Sequence, residues 1–321
     1  MKGLTATTFC LLWLALCGAT LVAQTPRLAV VELNGDDAGA IAAQLRALAK
    51  SQFELLDPAL VRAAAQGAGY SGSLNLRREE ARALGLSIGC DFYVFGKVDV
   101  GPRQGEDKQS HFEALAGLFA VETRTGALAS FTFIRERAAD EIRARAQLTA
   151  ALPNAWQTLT QAMNSARDRH QDAIAEAGRT PQPVIEVLND DQLGQQGALP
   201  VFYQRLKPEY TAEAEAAGIT ATVELEAVFQ ADGKVGDVTV VRWAGFGLDE
   251  SAIATVRQLR FKPARILEKD GEKEVTLRGL VRYTFRRSPP LAERVDETER
   301  LKRSLRELTT PTIKRPPPLH P

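Results

Sequence analysis

Residues Pro208 to Ala264 read PEYTAEAEAAGITATVELEAVFQADGKVGDVTVVRWAGFGLDESAIATVRQLRFKPA, and Val275 to Phe285 read VTLRGLVRYTF. Apolar and polar residues alternate from Thr222 to Phe229, which is typical of a half-buried strand whose polar face meets water. An Asp232-Gly233 turn follows, and Val235 to Arg242 predicts the returning antiparallel strand. We therefore expect a β-hairpin in this stretch.

Two helices and a last strand accompany the hairpin. Pro208-Glu209-Tyr210 opens a short alanine-rich helix that ends at Gly218. A second helix follows the hairpin, with Asp249 as its candidate N-cap and Pro263 as its stop. Its apolar residues recur at helical spacing and cover the hairpin; they are Ala252, Ile253, Val256 and Leu259. The strand from Val275 to Phe285 completes a small α+β unit, ordered helix–strand–strand–helix–strand, with a three-stranded antiparallel sheet.

Five short motifs occur in a fixed order within this unit. They are Pro208-x-Tyr210, Ala214 to Gly218 with Ile219, Asp232-Gly233-Lys234-Val235, Gly247-Leu248-Asp249 with Ala252, and Arg260-Phe261-x-Pro263-Ala264. In this order and spacing the unit resembles the C-terminal domain of TonB-type energy transducers. The resemblance covers about a quarter of the chain.

The resemblance implies a way of binding. The edge of a small sheet has N–H and C=O groups without partners, and an extended peptide can add there as a further strand. In TonB-type proteins the final strand receives the short TonB box of an outer-membrane receptor. The candidate partner-binding residues are therefore Val275, Thr276, Leu277, Arg278, Gly279, Leu280, Val281, Arg282, Tyr283, Thr284 and Phe285.

Two questions about this strand stay open at the level of sequence. The strand from Val275 to Phe285 either receives a guest peptide or merely completes the fold. Arg278 and Arg282 are expected on its outward side, where they either select an acidic peptide or block aggregation. The sequence does not decide between these alternatives.

The family implies further features that this chain lacks. TonB-type transducers carry an uncleaved membrane anchor, with a histidine that couples to ExbB and ExbD, and a long proline-rich spacer. No histidine lies between Met1 and Ala23, and a predicted folded domain occupies the place of the spacer. Force transduction by that route, with ExbB-like and ExbD-like partners, is therefore in doubt.

The N-terminus has the pattern of a secretory signal peptide. Lys2 precedes an apolar run from Phe9 to Leu16, and small residues end the segment at Ala23. Cleavage there would place the protein in the periplasm and leave Cys90 as the sole cysteine, which excludes an intrachain disulfide. The alternative is a retained inner-membrane anchor, since Leu4 to Ala23 is long enough to cross a bilayer.

Residues 24–168 show a β/α rhythm. The predicted strands are Leu28–Leu33, Phe53–Leu56, Cys90–Val98, Phe112–Thr123 and Leu128–Arg135, the last two joined by a Thr125-Gly126 turn. The predicted helices are one after Asp36 or Asp37, Ala59–Gln66, Arg77–Leu86, and a long one carrying Leu148, Leu152, Trp156, Leu159 and Met163. We therefore expect an α/β domain with a mixed sheet.

This pattern is similar to the α/β domains of periplasmic proteins related to CsgG and TolB. The residues that carry the similarity are Phe53-x-Leu55-Leu56-Asp57-Pro58 with Leu60, Ala83-Leu84-Gly85 with Cys90–Val98, and Glu122-Thr123-x-Thr125-Gly126. The predicted organisation is a signal peptide or anchor (1–23), this domain (24–168), a linker (169–198), the TonB-like domain (199–286) and a charged, proline-rich tail (287–321).

Composition and motifs argue against several functions. The 40 basic residues balance 40 acidic ones, so the chain has no net field that favours nucleic acid. The three histidines, His111, His170 and His320, have no ligand-spaced partners, and no nucleophile motif occurs. We expect no catalytic residue, metal, cofactor or small-molecule substrate.

The leading interpretation is a non-enzymatic, two-domain periplasmic protein. Its TonB-like domain would bind an outer-membrane receptor, in TonB-dependent transport, or another envelope protein. One alternative is a membrane-anchored, energy-transducing transport component. Another is an envelope scaffold in which the N-terminal domain binds the partner.

Overall fold

The computed structural model describes residues 25–104, 110–177, 188–189, 197–268 and 271–287. The predictions for Met1–Ala23, for the side chain of His170, for His320 and for the tail after Arg287 lie outside these residues. Within them no helix is long and apolar enough to cross a membrane.

The segment predicted as the N-terminal domain contains a mixed five-stranded sheet. Its strands are β1 (Arg27–Val30), β2 (Glu54–Leu55), β3 (Phe92–Gln104), β4 (Ser110–Glu122) and β5 (Leu128–Ala138). They lie in the order β2-β1-β3-β4-β5, with β1 parallel to both neighbours and β3, β4 and β5 antiparallel. The predicted mixed sheet is confirmed, with β3 longer than its apolar run indicated.

Four helices accompany this sheet: α1 (Ala40–Ala49), α2 (Pro58–Gly67), α3 (Arg78–Ile88) and α4 (Glu141–Ala177). The α1 and α4 helices cover one face, where Leu148, Leu152, Trp156, Leu159 and Met163 are all buried as predicted. The α2 and α3 helices pack on the opposite face. The α4 helix continues to Ala177, inside the segment predicted as a linker.

The segment predicted as the C-terminal domain has the predicted order of elements, with additional short strands. Three short strands come first: β6 (Leu188–Asn189), β7 (Gly197–Ala198) and β8 (Val201–Phe202). They are followed by α5 (Ala212–Ala216), β9 (Ala221–Phe229), β10 (Val235–Arg242), α6 (Leu248–Arg257), β11 (Phe261–Lys262), β12 (Ala264–Glu268), β13 (Gly271–Val275) and β14 (Leu277–Phe285). The β10, β9 and β14 strands form the expected antiparallel sheet, and β6 adds to β14 in parallel. The β12–β13 hairpin, which also pairs with β7, was not predicted.

Asp249 does not cap α6, contrary to the sequence prediction. The N-cap is Gly247, in the left-handed region at φ 71°, and Asp249 lies buried in the first turn. Its two carboxylate oxygens accept hydrogen bonds from the backbone N–H groups of Ala244 (2.9 Å) and Gly245 (2.8 Å). Asp249 therefore holds the loop before the helix rather than the helix end.

That loop, which connects β10 to α6, packs against the sheet of the N-terminal domain. Gly245, Phe246 and Gly247 all have positive φ, which glycine adopts freely and phenylalanine rarely does. A Cβ on Gly245 would lie 2.7 Å from the ring of Phe119 in β4, so only glycine fits this close approach. The turn therefore lies directly against the N-terminal sheet.

The ring of Phe246 packs on three rings of that sheet. Its centroid lies 6.1 Å from that of Phe119, 4.6 Å from Phe131 and 5.5 Å from Phe133. These residues belong to one buried cluster that runs from α2 and α3 to the core under α6. The C-terminal domain thus covers the part of the sheet face that α2 and α3 leave open.

Candidate partner-binding strand and its surroundings

The β14 strand has a stretch of edge with which no strand in the described part of the chain pairs. On one side it pairs with β9 over its whole length, from Leu277 opposite Phe229 to Phe285 opposite Ala221. On the other side β6 pairs only with Leu277 and Arg278. No described strand pairs with this side from Gly279 to Phe285. We call that stretch the open edge.

The structure places the eleven candidate residues in three settings. Val275 ends β13, Thr276 lies between the strands, and the other nine form β14. Along β14 exposed residues alternate with buried or half-buried ones, as the sequence predicts. Leu277 and Phe285 are buried, Val281 and Tyr283 are half-buried, and Leu280 is 56% exposed on the outward face.

The two outward arginines of β14 form ion pairs with β9. Arg282 Nε lies 2.8 Å from Glu224 Oε1, and Arg278 Nη1 lies 3.3 Å from Glu226 Oε1. The arginines therefore bridge neighbouring strands across the outer face of the sheet. Neither of the roles weighed from the sequence includes this contact.

Glu224 is buried, although the sequence predicts that water covers this face. Only 3% of the residue is exposed. Arg77, next to α3, places Nη2 2.8 Å from Glu224 Oε2, and Arg242 places Nε 3.8 Å from the same oxygen. Burial alone would raise the pKa of the Glu224 carboxyl, but the hydrogen bond from Arg77 and the charges of Arg77, Arg282 and Arg242 hold it below its usual value.

Asn75 links the domains through backbone groups. Its Nδ2 donates to the carbonyl oxygens of Thr222 (2.9 Å) and Trp243, and its Oδ1 accepts from the N–H of Thr222 at 3.0 Å. Arg77 and Arg242 also form an isolated antiparallel bridge. Asn75 and Arg77 thus fix the hairpin against the N-terminal domain. Sequence reasoning missed both residues, because no local pattern distinguishes them from ordinary loop and helix-start residues.

A cleft of about 1360 Å³ lies between the domains, beyond the end of β14. It is lined by residues from β3, β4, β5 and α5 and by Arg287, two residues after the end of β14. Glu113, only 3% exposed, forms part of its wall. Its Oε1 lies 2.8 Å from both Arg135 Nη2 and Arg137 Nε, and 3.1 Å from His111 Nε2.

These contacts set the charge state of Glu113. Burial would raise the pKa of its carboxyl, but hydrogen bonds from Arg135, His111 and Arg137 and the charge of Arg135 outweigh burial and lower the pKa to about 2. Glu113 is therefore a carboxylate at any physiological pH. His111, for which the sequence showed no ligand-spaced partner, is one of the residues that contact Glu113.

Nothing in the described part of the chain assembles a metal site. No group of three or more histidine, cysteine, aspartate or glutamate side chains among the described residues could hold a metal ion. The most strongly surrounded carboxylates, Glu113 and Glu224, are instead neutralised by arginines. Binding through backbone and arginine groups is the chemistry that this arrangement offers.

Comparison with known families finds a match for the C-terminal part of the chain. Residues 207–286 match the model of the family described as Gram-negative bacterial TonB protein C-terminal. This region is therefore similar to the C-terminal domain of TonB, and we call it the TonB-like domain. The match confirms the predicted resemblance over this quarter of the chain, and no curated protein matches the chain.

Several solved structures are similar to parts of the chain. The C-terminal domain of TonB from Pseudomonas aeruginosa is 18% identical, covers 27% of this chain and 85% of its own, and has a TM-score of 0.23. Lipoprotein GNA1162 from Neisseria meningitidis is 15% identical, covers 40% and 97%, and has a TM-score of 0.30. TolB from Acinetobacter baumannii is 12% identical, covers 43% and 28%, and has a TM-score of 0.27. The CsgG/TolB-like nature of the N-terminal domain stays a prediction.

Proposed function

We propose that this chain is a non-enzymatic envelope protein whose TonB-like domain binds a partner protein by strand addition along β14. The observation that carries the proposal is the open edge from Gly279 to Phe285. Backbone groups along such an edge hydrogen-bond to a guest strand, and side chains on both strands supply selectivity. The family match favours the TonB box of an outer-membrane receptor as the guest.

Side chains beside the open edge favour an apolar face on the guest. Val281 and Tyr283 are half-buried and continue the core-facing side of β14. A guest strand would place every second side chain next to them, because strand residues alternate between the two faces of a sheet. Apolar guest residues at those positions would enlarge the buried face of the domain.

The β6 strand sets one end of the proposed site. Because it already pairs with Leu277 and Arg278, a guest strand either stops at Gly279 or displaces β6. Val275 and Thr276 lie before β14. The proposed site is therefore Gly279 to Phe285, narrower than the stretch predicted from the sequence.

Amide hydrogen exchange on the full chain tests strand addition directly. Along an antiparallel strand, backbone N–H groups point alternately to the two neighbours. Adding a synthetic TonB-box peptide should therefore slow the exchange of every second amide between Gly279 and Phe285, while amides bonded to β9 change little. Protection confined to the helices, with the open edge unchanged at saturating peptide, would refute the proposal.

A pair of proline variants supplies the matched control. Proline replaces whichever of Leu280 and Val281 has its N–H on the open edge, because proline has no N–H to donate to a guest. The control makes the same change in β13, at whichever of Glu272 and Lys273 has its N–H turned away from β12, the one described strand that pairs with β13. We expect peptide binding to be lost in the β14 variant and retained in the β13 variant, with circular dichroism confirming that both are folded.

We further propose that the protein acts in the periplasm, at the cell envelope. The support is the signal-like pattern of Met1–Ala23 and the Gram-negative family of the TonB-like domain. N-terminal sequencing of the protein from its host should show a mature chain that starts at Gln24. An intact Met1 in the membrane fraction would instead favour the membrane-anchored transport component.

A further inference from the structure

The open edge of β14 leads into the interdomain cleft. β14 ends at Phe285, and Arg287 lines the cleft beside Gly218, which lies shortly before β9. The far wall belongs to the N-terminal domain, at His111 and Glu113 of β4 and Arg135 and Arg137 of β5. A strand added along β14 and continued past Phe285 would therefore meet a surface built by both domains.

Counted over the described residues, the ionised groups that line this cleft leave positive charge in excess. They are four arginines, namely Arg103, Arg135, Arg137 and Arg287, against three carboxylates, namely Asp99, Glu113 and Glu215. Arg103 Nη2 contacts Asp99 at 2.7 Å, and Glu113 is shared between two arginines. Arg287 is exposed.

The shared carboxylate leaves donors available. Each guanidinium has five N–H groups, whereas Arg135 and Arg137 both direct theirs to the single oxygen Oε1 of Glu113. Their side chains are 37% and 59% exposed, so other N–H groups can reach a ligand in the cleft. Carboxylates are the groups that arginine forks bind best in peptides.

We propose that the interdomain cleft binds an acidic segment of the partner, directly flanking the residues that add to β14. This inference rests on the proposed strand addition and extends the same site onto the N-terminal domain. The partner is thus a protein whose strand-forming peptide carries aspartate or glutamate at the end that leaves β14 at Phe285. The opposite end, at β6, has no such requirement.

The direction of strand addition decides which flank is acidic. In an antiparallel guest the N-terminal flank passes Phe285, and in a parallel guest the C-terminal flank does so. The probes are therefore one TonB-box peptide extended by a short run of glutamates at its N-terminus, the same peptide extended at its C-terminus, and two matched peptides that carry glutamines instead. Affinities for the full chain are measured by calorimetry.

We expect one glutamate peptide to bind roughly threefold to tenfold more tightly than its glutamine counterpart, and the other to show no gain. The gain should shrink at high salt, since partly exposed charges are screened. A chain with Arg137→Gln and Arg287→Gln, which keeps the Arg135–Glu113 and Arg103–Asp99 pairs, should lose a large part of it. A chain with Arg143→Gln and Arg145→Gln, which removes the same charge from exposed positions on α4, should keep it.

The outcomes separate the two proposals. If the glutamine peptides protect the open edge but neither glutamate run adds affinity, strand addition stands and the acidic-flank inference is wrong. If the gain is undiminished in Arg137→Gln/Arg287→Gln, the cleft is not where the glutamates bind. If none of the four peptides protects amides of the open edge, strand addition itself fails.

Discussion

Glu224 shows how a carboxylate on the polar face of a strand becomes a buried group. Two of the arginines that contact it come from different parts of the chain. Arg282 lies on the neighbouring strand β14, whereas Arg77 lies 147 residues before Glu224, at the start of α3. The N-terminal domain therefore covers a face that would otherwise be solvated. Removing one member of such a buried cluster leaves buried charges without a partner and lowers stability strongly, whereas an exposed ion pair contributes little to stability.

Replacing Glu224 by glutamine should destabilise the protein by about 3 kcal/mol, because Arg77, Arg242 and Arg282 would then converge without a carboxylate. The matched control is Glu226→Gln, on the same strand and paired with the exposed Arg278, which should cost about 0.5 kcal/mol or less. Urea unfolding at neutral pH measures both free energies. Equal losses in the two variants would show that the Glu224 cluster does not secure the domain contact.

Asp249 should make the stability of the protein depend on pH. Burial raises the pKa of its carboxyl to about 7, although the N–H groups of Gly245 and Ala244 pull it down. The folded state then binds the proton more tightly than the unfolded state, so stability falls as pH rises from about 4 to about 7, by up to about 1.4 kcal/mol per pH unit. The stability of wild type minus that of Asp249→Asn should decline over this range and level off above it. A difference that is flat or rises would contradict this assignment.

At the scale of elements, local periodicity was enough to predict most of the fold. The alternation of Thr222–Phe229 and the helical spacing of Leu148–Met163 are set by which face each element buries, and both elements formed as expected. Strands of two residues, such as β6 and β7, carry no periodic signal. The β12–β13 hairpin is exposed and charged along β13, so the same pattern was absent there.

The candidate site was predictable only in part, because only some of its features leave a periodic signal in the sequence. The alternation along Val275–Phe285 predicted which side chains of β14 face the core. It did not indicate that β6 pairs with Leu277 and Arg278, or that a second domain lies beyond Phe285. Those features depend on contacts between residues far apart in sequence, of which Asn75 with Thr222 is an example.

At the scale of the whole molecule, the TonB-like domain is docked rather than tethered. Phe246 and Trp243 are buried in the same cluster as Phe119 of β4. On the outer face of the C-terminal sheet, Asn75 bonds to the backbone of Thr222 and Arg77 pairs with Glu224. A guest on β14 would then have a fixed orientation relative to the N-terminal domain. This geometry would allow one partner segment to contact both domains at once, as proposed above.

Phe246→Ala tests whether the docked domains form one cooperative unit. Losing the ring removes its packing on Phe119, Phe131 and Phe133, and we expect a loss of about 3–5 kcal/mol in the free energy of unfolding. Because the domains share a core, wild type should unfold in one calorimetric transition. The variant should unfold in two, since each domain keeps the rest of its own core.

The control for this experiment is Phe202→Ala. Its ring is 41% exposed and packs on Phe229 and Phe261 inside the C-terminal domain, so it should cost less and leave a single transition. Two transitions in wild type would mean that the shared core does not couple the domains. In that case the orientation of a guest on β14 would not be fixed, and an acidic flank could gain affinity only through contacts within the TonB-like domain itself.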